Sequence, residues 1–388
     1  MDPKVLGASG GRVSRRRFLK GAAGLAATGP LLSILTQLGC GGQTSPAASQ
    51  SASPSTSAAS SASGSPSKSP SAEDLKRQLV EAATKEGKVA WYTSNPVDQA
   101  TPIGEAFQAA FPGIKVEVFR AQAEEVRERA VTEFNAGRYV ADVLELAAAD
   151  AYYLAGRSVI RQHTWPEAKA FDPQLKDPNG FFVGTRLVMG VPSYNTKLVS
   201  ATEAPKSYED LLDPKWKGKM ALEESDQILL MGLSQIWSKD KAIDWARKLA
   251  QQDIQMRKGH SQMTGLLSAG EFSIDINSYA YIVEKEKAKG APVEWIKTNP
   301  VFVNPTVVMI AAKAAHPNAA ILFADWVNSK AGMDTYAKVG HVPARLDSPP
   351  QVASLAPSKM TFKVVYAKSS EEDAEWQKVF RDIFWPKR

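Results

Sequence analysis

The sequence predicts an α/β fold in two lobes, and three observations carry that reading. Short strand-like apolar stretches alternate with amphipathic helical ones over residues 88–146, the pattern of helices packed on a parallel sheet. A strand feeding a helix N-terminus recurs beyond residue 206. The body holding both, about 315 residues from residue 73 onward, exceeds the usual size of one domain.

KVAWYT, 88–93, reads as the first strand, and 103–111 as a helix closed by Pro112-Gly113. IKVEVF, 114–119, alternates as a second strand. Residues 123–135 set Val126, Ala130, Val131 and Phe134 on one helical face before Gly137 ends it, and 142–146 is a third strand. Further on, Ser207 and Asp210 have capping-box spacing and open a short helix that Asp213-Pro214 stops. A strand at 219–222 then leads through Glu223, Glu224, Ser225 and Asp226 into an apolar helix over 228–237.

This order also says where a ligand goes. In open α/β sheets it lies beyond the carboxyl ends of the strands, where helix N-termini present unpaired N–H groups. In the first lobe those positions are Tyr92, Thr93, Ser94 and Asn95, with Arg120 after the second strand. In the second they are Ser225 and Asp226, with Ser261 and Gln262 opening another helix. Helix N-termini and Arg120 favour an anion, the acids around Ser225 a cation, so ligand charge stays open.

The N-terminus carries a separate message. SRRRFLKG from Ser14, followed by a short apolar run, is the pattern of a twin-arginine export signal centred on Arg15 and Arg16. The single cysteine, Cys40, closes that run and has no partner for an intramolecular disulfide, the position of a lipid-modified cysteine. Gln37 stands where such signals carry an aliphatic residue. Residues 41–72 are almost all Ser, Ala, Pro and Gly, which predicts a disordered tether with a root-mean-square span of about 30 Å. The formal net charge of +6 is mostly leader: six basic residues against Asp2 before residue 40 supply +5 of it. Nucleic-acid binding therefore loses its support. The expected location is extracytoplasmic, lipid-anchored beside a membrane.

The sequence resembles the substrate-binding proteins of bacterial ABC importers, in the group that includes ferric-ion, thiamine and phosphonate binders. The resemblance rests on KVAWYTS, AFPGIKVEV, ADVLEL, GTRLVMGVPSYNTKL, PKSYEDLLDPKWKGKMAL, GEFSIDINSYAY, KAKGAPVEW, HPNAAILFADWVNSKAG and GHVPAR, from about residue 87 to 345. It implies the two-lobed type 2 periplasmic-binding-protein fold, closing like a hinge on a ligand in the interlobe cleft. The crossing strands fall at 186–195 and near 301–311, lobe one at 73–187 with 300–345, and lobe two at 188–299 with 346–388. The implied partners are a small-molecule or ion ligand, an ABC permease and ATPase, the twin-arginine translocase and, through the anchor, a membrane. The protein is expected to be a monomer without a cofactor.

In ferric-binding members of that group two adjacent tyrosines, a histidine and a glutamate hold the metal. Here the tyrosine pair falls on Tyr279 and Ala280, the histidine on about Pro96 and the glutamate on about Ala147. One phenolate cannot fill the coordination sphere of a hard ferric ion, so no metal site is assigned, although Tyr281 and the nearby acids leave a rebuilt iron site as the alternative. Tyr279 is instead expected to offer an aromatic face and a hydroxyl to an organic solute. Tyr281 shares its face if the strand continues, whereas a helix starting there would part the two by about 200°.

Two rival classes bear on function. An exported hydrolase lacks support: His163, His260, His316 and His341 have no metal-ligand spacing, and the one G-x-S-x-G match, at residues 7–11, lies in the leader. No catalytic residue is assigned. A binding protein reporting to a membrane sensor would share every feature of an importer's.

Overall fold

In the computed structural model, which describes residues 71–385, the chain opens on α1 (Ala72–Glu86), its first turn fixed by a reciprocal capping box between Ser71 and Asp74. There follow β1 (Lys88–Thr93), α2 (Val97–Ala110), β2 (Lys115–Arg120), α3 (Ala123–Asn135), β3 (Val143–Ala147), α4 (Ala148–Ala155) and β4 (Ile160–Arg161). The long strand β5 (Val183–Asn195) leads into β6 (Met220–Glu223), α5 (Gln227–Ile236), α6 (Lys239–Ala250), β7 (Gln255–Arg257), α7 (His260–Ala269), β8 (Ile274–Tyr279), α8 (Ala280–Ala288) and β9 (Val293–Trp295). A second long strand, β10 (Val301–Ala311), returns the chain to α9 (Pro317–Asn328) and α10 (Lys330–Lys338), before β11 (Phe362–Val364) and α11 (Ser370–Phe384).

The strands join in the order β2-β1-β3-β10-β5-β8-β6-β7. The β1 to β3 end is parallel, as the strand-helix alternation predicts, and β6 is parallel to β7 and β8. The sheet as a whole is mixed, because β10 inserts antiparallel beside β3 and β5 antiparallel beside β10 and β8. A chain that crosses between lobes twice must return in the opposite direction, so two antiparallel strands are what two lobes built by one chain require.

Strand β1 is buried almost throughout, as expected of a parallel strand covered on both faces. On one face Trp91 packs against Phe323, and Phe107 meets Phe323 and Trp326 edge-on; on the other, Tyr92, Leu144 and Leu146 pack under Val126 of α3 and Leu154 of α4. The second lobe has its own core, with Leu222, Leu230, Trp245, Trp376 and Phe380. Helix α11 contributes Trp376 and Phe380 and packs on α5 and α6.

One helix differs from the sequence reading. Helix α2 starts at Val97, not at residue 103, and runs through Pro102. Pro102 lies in its second turn, where the carbonyl denied a partner belongs to exposed Asp98 and is open to water.

Candidate functional site

The two crossing strands and β8 lie side by side, and their register decides which side chains meet. Gly190 of β5 pairs with Phe302 and Val188 with Asn304 of β10, while Gly190 also faces Tyr279 of β8. Paired residues share a face and alternate residues repeat it, so Arg186, Val188 and Gly190 line up with Thr306, Asn304 and Phe302, and with Asn277 and Tyr279. Of these, Val188, Gly190, Asn277, Tyr279, Phe302 and Asn304 line, with α5, a recess that together with the open space at its mouth measures about 310 Å³. Gly190 keeps it open: a Cβ there would lie 2.7 Å from Asn277 Oδ1.

The first-lobe wall is organised by Glu145, which is buried. Its carboxylate accepts from Thr185 Oγ1 (2.6 Å), Asn95 Nδ2 (2.8 Å), the Tyr336 hydroxyl (3.0 Å) and Thr93 Oγ1 (3.3 Å). Burial raises its pKa, against the pull of those donors and of the Arg186 charge. Arg186 acts electrostatically on Glu145, Tyr279, Tyr336 and His341, which puts the guanidinium amid residues of both lobes. Yet its side chain, 7 % exposed, makes no hydrogen bond or ion pair among the described residues.

On the second-lobe side, Glu223 accepts from the Ser225 amide and hydroxyl and from the Gly259 amide. Asp226 is buried and accepts from Asn277 Nδ2 at 2.7 Å, and burial raises its pKa well above the ordinary range. Aromatic rings run from one lobe toward the other. His260 stacks on Tyr279 at 3.8 Å, Tyr279 on Tyr281 at 6.2 Å, and Tyr281 meets His341 edge-on at 6.5 Å. Burial drives His260 down to about 4 and His341 well below its usual value, which keeps both imidazoles neutral at pH 7.

Buried polar atoms nearly always find partners. At this site six do not: Asn95 Oδ1, Arg186 Nε, His260 Nδ1, Asn277 Oδ1, Asn304 Oδ1 and His341 Nε2. They come from β5, β8, β10 and the adjoining segments of both lobes. Desolvated groups without partners cost about 1–3 kcal/mol each, and two of the six, Asn277 Oδ1 and Asn304 Oδ1, belong to residues that line the recess, which makes it the candidate site for a polar solute.

A family model described as bacterial extracellular solute-binding protein matches residues 103–361, more than half of the chain. The chain belongs to that family. A relative named Fe(3+)-binding periplasmic protein, from Serratia marcescens, is 24% identical over 173 residues, covering 42% of this chain and 51% of its own. Iron uptake protein A1 of a Synechocystis strain is 26% identical over 181 residues, covering 44% and 48%. The chain thus spans about half the length of the curated relatives it matches. Among solved structures, iron-bound HitA from Pseudomonas aeruginosa superposes with a TM-score of 0.63 at 19% identity, over 76% of this chain and 99% of that one. AfuA from Actinobacillus pleuropneumoniae, with fructose-6-phosphate bound, does so with a TM-score of 0.68 at 18% identity, over 78% and 100%. These are two-lobed periplasmic binding proteins, so the fold read from the sequence is the fold found.

In this solute-binding protein the residues singled out from the sequence fall into three groups. Asn95, Asp226 and Tyr279 border the recess or its acid partners, and Thr93 supports Glu145. Tyr281 extends the aromatic row. Tyr92 is turned away: its ring packs on Phe119 and its hydroxyl donates to Glu133 at 2.9 Å. Ser94 offers its backbone amide to the Glu145 carbonyl, and exposed Arg120 donates to the Asn95 carbonyl at 3.3 Å. Ser225 is spent on Glu223, while Ser261 and Gln262 are exposed on the first turn of α7. Arg15, Arg16 and Cys40 lie outside the described residues.

The sequence reading did not single out Arg186, Asn277, Asn304, Glu145, His260 or His341 for the site. A signal existed for three of them: each of Arg186, Asn277 and Asn304 is a polar residue set in an apolar strand, in GTRLVMGV, SIDINSY and VFVNPTVVMI. Among the described residues no three His, Cys, Asp or Glu side chains are placed to hold a metal ion, and no helix is long and apolar enough to cross a membrane.

The site's acids make a pH prediction. Burial pushes Asp275, behind Asn277, up to about 7, with the Glu223 charge adding and the Ser278 hydroxyl and Asn277 amide pulling back. A carboxyl whose folded pKa exceeds its unfolded one binds its proton more tightly when folded. Its contribution is complete below about pH 4 and is lost as pH rises through about 7. Asp275→Asn, which cannot ionise, is expected to lose about 3 kcal/mol less stability than wild type between pH 4 and 8. Urea melts at both pH values measure this, and parallel losses would show that Asp275 does not titrate in that window.

Proposed function

We propose that the protein is an extracytoplasmic solute-binding protein of an ABC importer, capturing a small organic or oxyanion solute between its lobes and handing it to a permease and ATPase. The observation that carries this is the set of unpartnered buried polar atoms where the crossing strands meet both lobes. Closure of the lobes, 73–187 with 300–345 and 188–299 with 346–388, would exclude water and strengthen each contact made there. The role needs no catalysis: the site's carboxylates are occupied by protein donors rather than poised beside a nucleophile. The Arg15-Arg16 signal, Cys40 and the Ser/Ala/Pro tether fit a body exported by the twin-arginine translocase and held at a membrane.

Native mass spectrometry of the mature chain, purified without chelator and compared with its denatured mass, tests the reading. An organic mass excess supports it. An excess matching iron and lost on chelation would replace the organic solute with iron, in line with the names of the Serratia relative, an Fe(3+)-binding periplasmic protein, and the Synechocystis one, an iron uptake protein. Tyr279→Ala is expected to weaken binding of the co-purified solute at least tenfold, because it removes the ring between His260 and Tyr281. Unchanged affinity by calorimetry would take Tyr279 out of the site.

A further inference from the structure

The end of lobe one opposite the candidate site has a composition of its own. Strands β1, β2 and β3 are parallel and start there, and β10 runs against them and ends there, with Ile310 beside Val143. Basic residues gather at those positions. Lys85 lies in the last turn of α1, Lys88 and Lys115 pair as the first residues of β1 and β2, and Arg138 precedes β3. Arg161 of β4 faces Ile310, and Lys313 stands just past β10. The nearby carboxylates are mostly turned inward: Asp142 accepts from the Ala90 and His316 amides, Glu133 from Tyr92 and Arg129, and Glu86 from the amides that open α9. Glu117 lies between Lys88 and Lys115, at 3.1 and 3.5 Å, and offsets one of them. Because the leader supplies +5 of the formal +6, the rest of the chain carries only +1. The excess at this end is therefore local.

The same end exposes apolar groups. Helix α3 stops at Asn135, and Gly137, in the left-handed region at φ 69°, ends its last turn. Tyr139 and Val140 follow, 42 % and 45 % exposed. The Tyr139 ring rests on Phe134 at 5.7 Å instead of entering the core. With Val159 these residues edge a shallow recess, beside exposed Arg138 and Lys313, whose side chains make no hydrogen bond or ion pair among the described residues. A single exposed Tyr or Val is ordinary. An adjacent pair ringed by free basic side chains suits an anionic bilayer, where the ring and the branched chain enter the headgroup boundary and the long basic stems reach the phosphates.

We propose that this end of lobe one is a membrane-contact surface, set on anionic lipid through Tyr139 and Val140 with Arg138, Lys313, Lys88 and Lys115 at the headgroups. The proposal goes beyond the solute-binding reading and borrows from it only the anchor at Cys40. Charge complementarity and chain length both favour a bilayer as the occupant. Helix α1 runs back from the start of β1, so Ser71 lies about 22 Å farther from the surface than Glu86. Residues 41–70 join Cys40 to Ser71, and a flexible chain of that length has a root-mean-square span of about 30 Å. The anchor therefore permits this contact. With lobe one set down in this way, Thr93, Asn95 and Glu145, at the carboxyl ends of β1 and β3, face away from the bilayer, and the candidate site stays open to solute.

The test floats the mature chain from residue 40, carrying Cys40→Ser so that no acyl group contributes, with vesicles of mixed phosphatidylglycerol and phosphatidylcholine and with vesicles of phosphatidylcholine alone. Partition onto the anionic vesicles is expected to be at least tenfold higher and to fall as salt is raised. Arg138→Glu with Lys313→Glu should lower it at least thirtyfold, and Arg138→Gln with Lys313→Gln should act in the same direction at smaller size. Tyr139→Ser with Val140→Ser should lower it at least threefold while keeping the salt dependence. Arg247→Glu with Lys248→Glu makes the same change of net charge on exposed residues of α6 and should leave partition within about twofold. All these positions are exposed, so each variant is expected to melt with the wild type. Equal binding to both vesicles, or an equal loss in the α6 variant, would overturn the proposal, the second by showing attraction without a defined surface. A dimer in sedimentation velocity that Tyr139→Ser with Val140→Ser dissolves would replace the bilayer with a second copy of the chain. None of these outcomes touches the solute-binding reading, which stands or falls on the co-purified mass.

Discussion

Replacing Glu145 with alanine is expected to cost about 4 kcal/mol of stability, the largest loss for any single substitution at the cleft. The carboxylate gathers four donors from four segments: Thr93 at the end of β1, Asn95 in the loop after it, Thr185 in β5 and Tyr336 in α10. All four of these residues are buried. Alanine would leave Thr185 Oγ1, Asn95 Nδ2 and the Tyr336 hydroxyl desolvated with their main acceptor gone, although Thr185 retains the Thr306 carbonyl at 3.2 Å. Each stranded group costs about 1–3 kcal/mol, and the sum is reduced by relaxation and water entry. Glu145→Gln separates shape from acceptor count. It fills the same volume but turns one acceptor into a donor facing donors, so about half the loss is expected. Urea denaturation of both variants measures the difference. A loss below about 1 kcal/mol for alanine would mean that the network is not what holds the end of β1 to α10.

Much of the fold was legible because its signals are local. Helix α3 and strand β10 end where the sequence reading placed them, at Ala123–Asn135 and Val301–Ala311, since a clean apolar face or run marks each. The start of α2 was not legible, because Pro102 is a strong local stop and only the tertiary setting keeps the helix continuous through it. The site was less legible, because register made it. Tyr92 and Thr93 are neighbours in sequence, yet a strand sends them to opposite faces, one to Glu133 of α3 and the other to Glu145. Arg186, Asn277 and Asn304 are far apart in the chain, and only the pairing of β5 with β8 and β10 puts them on one face. The INSYAY stretch changes conformation between its tyrosines, with Tyr279 ending β8 and Ala280 opening α8. Periodicity alone predicts either a shared face or a wide separation. The rings stack at 6.2 Å with their planes 21° apart, close to the spacing of about 6.6 Å between alternate residues of a strand, although Tyr281 already belongs to α8.

Gly190→Val is expected to leave the fold standing while lowering solute affinity at least a hundredfold. Gly190 sits in β5 between Tyr279 on β8 and Phe302 on β10, on the face that lines the recess. Its backbone is not in the left-handed region, so valine meets no strain there, and a branched side chain suits a strand. The obstacle is Asn277: a Cβ at position 190 would lie 2.7 Å from its Oδ1 and 3.3 Å from its Nδ2. Relief requires the amide to rotate, which breaks the 2.7 Å bond from Nδ2 to Asp226 and costs about 1 kcal/mol. The same rotation withdraws one acceptor from the solute, and the two γ-carbons occupy space between Tyr279 and Phe302 that the solute would fill. Loss of a buried hydrogen bond together with a steric clash exceeds what either change does alone, which is the basis for two orders of magnitude rather than one. Gly190→Ala, with the Cβ alone, should fall between. Calorimetric titration with the co-purified solute, beside a thermal melt of the unliganded variant, separates the outcomes. Retained affinity would place the solute away from the crossing strands, and a collapsed melting temperature would mean that Gly190 is needed for packing rather than for access.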